Sequence, residues 1–139
     1  MATVAIRDEL VAPIERVWAC FADFGDLSAW APGRSRVAVD GHGVGAIRTV
    51  GGEGGPPVRE RLEAYDPEGH TFSYAMLGSP FPFTDYVATV RLHDLGSGRT
   101  SIDWSSTFEP RGAEPKQVAQ MIAGVYRMFV ARLKETLAS

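Results

Sequence analysis

Arg48 and Glu60 are the residues of this chain best placed to do chemistry. They lie on either side of the stretch Gly51-Gly52-Glu53-Gly54-Gly55-Pro56-Pro57, within two segments where apolar and polar residues alternate. Alternation at period two marks half-buried strands. If Val50 lies opposite Val58 across that stretch, Arg48 faces Glu60 and Ala46 faces Leu62. Both charges then share a face with Val44, Ala46, Val50, Val58 and Leu62. Charges on an apolar face are costly unless paired with good geometry. Two arrangements meet that condition. One is a polar anchor inside a pocket, able to hold a carbonyl, hydroxyl or carboxylate of a bound molecule. The other is an ion pair at an open sheet margin that reaches solvent.

Aromatic residues form the second group. Phe72, Tyr74 and Met76 share one face of a strand-like segment, Tyr86, Ala88, Val90 and Leu92 of the next, and Ile102, Trp104, Ser106 and Phe108 of the last. Such sets ordinarily fill a core. Buried hydroxyl and indole groups nevertheless need partners, which a pocket with a few convergent polar groups supplies. Trp30, just before Pro32-Gly33, either borders the pocket mouth or plugs the end of the sheet. The segment Gly78-Ser79-Pro80-Phe81-Pro82-Phe83 reads as a lip against an apolar ligand or as a rigid loop folded onto the core. The expected ligand contacts are Arg48, Glu60 and Leu62 on the paired strands and Phe72, Tyr74, Tyr86 and Trp104 on the later ones. Met121, Val125 and Phe129 on a C-terminal helix, together with Trp30, complete the set. Gly124 beside the helical residues allows a ligand or the sheet to approach closely, or serves packing alone.

Other reactive side chains carry less. His42 and His70 fall in turns and are expected to be solvated, and His93 ends a strand on its outer side. The three histidines are not at metal-ligand spacings, so neither a metal nor another cofactor is expected. No serine has a His and Asp in a recognisable triad order. Cys20, with Arg16 four residues earlier, reads as a small packing residue. Asp8 points with Ile6 and Leu10, toward the interior or its solvated edge.

These residues need a frame. Thr3–Val11 alternates as a strand, and Pro13 suits the first position of a helix carrying Ile14, Val17, Trp18 and Phe21. A second short helix or turn carries Phe24, Leu27 and Trp30. Strands are then predicted over Arg36–Asp40, Val44–Val50, Val58–Tyr65, His70–Leu77, Thr84–His93 and Thr100–Phe108, each closed by turn residues. The glycine-rich stretch after Val50 is expected to be mobile. Glu114–Leu137 is the longest periodic segment. Val118, Met121, Ile122, Val125, Met128, Phe129, Leu133 and Leu137 recur there at helical spacing. Consecutive strands between helices predict an α+β fold: a curved antiparallel sheet of about six to seven strands packed on the long C-terminal helix, with two short helices after the first strand.

Composition bounds the partners. The 139 residues are expected to form one domain, and 45% hydrophobic with 22% charged residues is a globular composition. A net charge of −3 without a basic run argues against nucleic acid and against a polybasic membrane contact. No stretch approaches the roughly 18 apolar residues of a membrane span. One cysteine and an N-terminus without a signal-peptide profile suit a soluble cytoplasmic protein, monomer or homodimer.

With these elements in place, the chain resembles the START-like superfamily, also called SRPBCC or Bet v 1-like, and its polyketide cyclase/dehydrase-type bacterial members in particular. The resemblance covers essentially the whole chain. It rests on Ala12-Pro13-Ile14-Glu15-Arg16-Val17-Trp18, on Phe24-Gly25-Asp26-Leu27-Ser28-Ala29-Trp30-Ala31-Pro32-Gly33, on Gly43-Val44-Gly45-Ala46-Ile47-Arg48, and on Val58-Arg59-Glu60-Arg61-Leu62 with Tyr65-Asp66. It implies a helix-grip cavity entered near the short helices, and no universal catalytic triad. A hydrophobic or amphipathic small molecule is the implied partner. An aromatase/cyclase-type enzyme and a co-chaperone or antitoxin-like interaction module are the alternatives within the same superfamily.

Overall fold

The computed structural model describes residues 1–31, 37–51 and 56–138. Strand β1 (Ala2–Leu10) opens the chain, and helix α1 (Ile14–Ala19) follows with Pro13 as its N-cap. The Pro13 carbonyl accepts from the amides of Arg16 and Val17, so the proline sits one position before the helix it starts. Then come β2 (Val37–Asp40), β3 (Ile47–Val50), β4 (Val58–Asp66), β5 (Thr71–Gly78), β6 (Phe83–Gly96) and β7 (Arg99–Pro110), and the long helix α2 (Pro115–Ala138).

All seven strands form one antiparallel sheet in the order β1-β7-β6-β5-β4-β3-β2. Strands β2 to β7 are a meander of neighbours in sequence. Only β1 makes a long-range pairing, with Ala2 opposite Phe108 and Leu10 opposite Thr100. The β6–β7 hairpin closes through Ser97 and Gly98, both at positive φ, as a tight turn that matches strand twist demands. Helix α2 lays Val118, Ile122, Tyr126, Phe129, Leu133 and Leu137 against the sheet. This is the predicted α+β helix grip.

Three local expectations change. Of the two expected short helices only α1 forms, because Phe24–Trp30 makes separate turns in which Leu27 accepts from Trp30 and Ala31. Strand β3 begins at Ile47, not Val44, since Gly43 and Gly45 at φ 71° and 95° hold a turn, and Val44 is exposed. On α2, Met121 and Met128 are exposed, because at 3.6 residues per turn both fall outside the arc of the buried stripe. Arg36, Pro32-Gly33 and the centre of the glycine-rich stretch, expected to be mobile, lie outside the described residues. No helix among the described residues is long and apolar enough to cross a membrane.

One irregularity shapes the interior. Between Thr84 and Val87, β6 carries one residue more than β7 opposes, and Asp85 takes φ 56° to absorb it. Asp tolerates this left-handed conformation better than most residues. The bulge shifts the alternation by one, so Phe83 and Tyr86 both face inward although three apart.

Candidate functional site

Two ladder rows divide the concave face. The row Phe72–Val90–Trp104–Ile6 crosses its middle, and the next, Leu62–Tyr74–Ala88–Ser106–Val4, runs beside it. On the α1 side of these rows the space is filled. Trp30 packs edge-on against Phe129 with centroids 4.9 Å apart and against Trp104 at 5.3 Å, and Phe21 closes on Trp30, Phe72 and Trp104. Trp18 covers Phe72, Tyr65 and His70. Trp30 is therefore the plug at the end of the sheet, not a residue of a pocket mouth. Space survives at the opposite end, between β4–β6 and α2, as a cavity of about 120 Å³.

Six of the predicted contacts line it: Glu60, Tyr74, Tyr86, Met121, Val125 and Phe129. Trp30, Arg48, Leu62, Phe72 and Trp104 do not. Phe72 and Trp104 belong to the filled half, and Leu62 borders a shallow surface groove with Ala46 and Tyr65. Sequence reasoning missed Tyr126, which follows Ile122 by four on the buried stripe, and Phe83, whose inward direction depends on the bulge. Phe81 stacks on Phe83 at 5.7 Å and, like Met121, is substantially exposed. The rim thus lies between the β5–β6 connection and the first half of α2, not beside the short helices. Of the two phenylalanines in the Pro-flanked segment, Phe83 is buried and Phe81 alone is at the surface.

The expected β3–β4 register is present, with Val50 opposite Val58 and Arg48 opposite Glu60. Both side chains are buried, at 2% and 7% exposure, which excludes the open-margin arrangement. Arg48 Nε donates to Glu60 Oε1 at 2.8 Å, and Nη1 donates to the Phe24 carbonyl at 2.9 Å. The guanidinium also lies 4.1 Å from the Phe24 ring centroid and 5.1 Å from that of Tyr74. Arg48 is thus held behind Glu60, and only the carboxylate reaches the cavity wall.

Three phenols complete the polar end. Tyr86 and Tyr126 share a hydrogen bond across the gap between β6 and α2, and Tyr74 Oη accepts from Trp104 Nε1 at 3.2 Å. Burial pushes Tyr74 up to about 12, with the Glu60 charge adding to it. Burial also raises Tyr86 and Tyr126, helped by the neighbouring tyrosines. All three are therefore neutral hydroxyls near pH 7, able to donate as well as accept. The remaining walls, Met76, Phe81, Phe83, Met121, Ile122, Val125 and Phe129, are apolar.

The weaker candidates resolve as structural. His70 is not solvated: its Nε2 meets Glu15 Oε2 at 2.7 Å and its ring sits edge-on to Trp18. Asp8 pairs with Lys134 of α2 at 2.9 Å, which holds its carboxyl below the usual range. The Cys20 thiol donates weakly to the Arg16 carbonyl, and burial pushes it up, away from the thiolate. Among the described residues no cluster of three His, Cys, Asp or Glu side chains is placed to ligate a metal.

A seven-stranded antiparallel sheet closed on a C-terminal helix is the helix-grip fold of START-like proteins, and solved structures share it. A protein from Bacillus thuringiensis superimposes with a TM-score of 0.90 at 23% identity, covering 99% of this chain and 100% of that one. One from Thermobifida fusca gives 0.87 at 27%, covering 97% and 92%. The Zhui aromatase/cyclase of a Streptomyces species gives 0.73 at 21%, covering 98% and 91%. The family described as polyketide cyclase / dehydrase and lipid transport matches residues 1–138, and this chain belongs to it.

Proposed function

We propose that this chain is a cytoplasmic binding protein for a largely apolar small molecule, held in the cavity between β4–β6 and α2 with its polar end at Glu60 and the tyrosines. One observation carries this reading: a mostly apolar hollow onto which one buried carboxylate and three buried hydroxyls converge. Polar groups placed this way fix the orientation of a ligand whose affinity comes from apolar contact. The ligand contacts are then Glu60, Tyr74, Tyr86, Met121, Val125 and Phe129, joined by Tyr126 and Phe83. Arg48, Leu62, Phe72, Trp30 and Trp104 form the shell behind them. At about 120 Å³ the cavity suits one ring, since an apolar cavity of about 150 Å³ in another protein takes up benzene. Larger ligands require Phe81 and Met121 at the rim to move.

Methyl NMR of the four methionines tests this directly. A small aromatic probe shifts the Met76 and Met121 methyls, which line the cavity, and leaves Met128, exposed on α2, unchanged. Uniform or absent shifts with toluene, indole and phenol alike would refute a ligand cavity. Native mass spectrometry of protein from its own host then identifies the resident molecule.

A second reading, turnover of a polycarbonyl chain, is favoured by Glu60 and three protonated phenols sharing one cavity. A carboxylate can take a proton while a phenol steadies the developing enolate. The family description accords with it. Loss of cyclisation in Glu60→Gln, with ligand uptake retained, is the expected sign.

A further inference from the structure

Resting on that binding reading, we propose that the cavity selects a neutral hydrogen-bond donor at the polar end of its ligand, a single ring bearing a hydroxyl, and rejects carboxylates. Among the described residues Glu60 is the one charged side chain on the wall. Its Oε1 is taken by Arg48, whereas Oε2 has no hydrogen bond among the described residues. A carboxylate oxygen accepts only, so what it seeks is an O–H or N–H. Such a bond is charge-assisted and stronger than one between neutral groups.

The positive partner does not offset this choice. Arg48 is 2% exposed, bonded through Nε to Glu60 and through Nη1 to Phe24, its Nη2 buried without a partner among the described residues, and it is absent from the cavity wall. An anionic ligand would have to shed its water into a mostly apolar hollow and meet the Glu60 carboxylate first, with the Arg48 guanidinium behind that carboxylate and off the wall. An ammonium is disfavoured for the complementary reason. It too would be stripped of water in an apolar hollow, and the carboxylate it would meet is already shared with Arg48.

The tyrosines suit a ligand hydroxyl as well. The Tyr86–Tyr126 bond uses one of their two protons, and Tyr74 accepts from Trp104. A hydroxyl that donates to Glu60 Oε2 can accept from one of these phenols in turn. Toluene leaves those groups unanswered, and benzoate answers them with the wrong charge.

Calorimetric titration of the full chain at pH 7 with toluene, phenol, aniline and benzoate separates the cases. Phenol is expected to bind at least about 10-fold tighter than toluene, the factor that 1.4 kcal/mol confers. Aniline falls between them, and benzoate shows no saturable binding. In Glu60→Gln the phenol preference over toluene shrinks several-fold. Should that variant not fold, the wild-type series decides alone. Phenol and toluene within 2-fold, or benzoate as tight as phenol, would overturn the donor selectivity and leave the binding cavity standing. No binding by any of the four overturns both.

Discussion

The hydroxyls of Tyr86 on β6 and Tyr126 on α2 meet directly, one bond joining sheet and helix at the wall of the cavity. Trp104 stacks on the Tyr126 ring at 5.2 Å, so the phenol is held from its face as well as its tip. Tyr126→Phe keeps the ring and removes the bond, and should cost about 1 kcal/mol. A double-mutant cycle with Tyr86→Phe, read by urea unfolding, is expected to show a coupling of about 0.5–1.5 kcal/mol. A coupling near zero would mean the two hydroxyls do not depend on each other.

Alkali should expose the buried phenols. Below pH 10 they are protonated in folded and unfolded chains alike, and their contribution to stability is fully present. Above it the unfolded chain loses protons that the folded one keeps, because Tyr74, Tyr86 and Tyr126 are all raised. Stability then falls with pH by up to about 1.4 kcal/mol per unit for each such tyrosine. For Tyr74 the loss spans the interval from about 10 to about 12. Denaturant melts across that interval should show a shallower decline in Tyr74→Phe, with little difference at pH 7 to 9.

Arg48 is a structural residue before it is anything else. Arg48→Ala leaves the Glu60 carboxylate buried and alone, and should destabilise by about 3–5 kcal/mol. Arg48→Met combined with Glu60→Leu removes both charges and is expected to lose less than the single alanine variant. Guanidinium melts of the two decide it. A loss below about 1 kcal/mol for Arg48→Ala would contradict a desolvated pair.

The bulge at Asp85 makes a backbone prediction. Glycine accepts φ 56° freely, so Asp85→Gly should be near neutral, whereas Asp85→Val should cost about 1–2 kcal/mol. The valine variant also presses β6 toward regular alternation, which would turn Phe83 outward. A changed Met76 methyl environment in that variant alone would report the shift.

Much of this was readable residue by residue. The inward sets on β5, β6 and β7 follow from alternation, and the Arg48–Glu60 pairing from two strands meeting across a turn. Phe83 was not readable, because one inserted residue reverses the phase and Asp85 carries no signal strong enough to announce it. Tyr126 was overlooked for a different reason. Helical periodicity places it inward, but says nothing of the Tyr86 hydroxyl it meets 40 residues away in the chain.

Seven strands, a long closing helix and most of the inward faces were legible in the chain alone, Phe83, Met121 and Met128 being the exceptions. Those follow from period, turn chemistry and local propensity, which act between near neighbours. Where the interior is filled and where it is hollow is set only once the chain has folded. That is a matter of volumes from distant segments meeting. Trp30, Phe21 and Trp104 close one end, while the β6 bulge and the Tyr86–Tyr126 contact define the other. Arg48 and Glu60 were legible as a pair. Which of them faces the cavity depended on Phe24, whose carbonyl and ring draw the guanidinium away and leave the carboxylate at the wall.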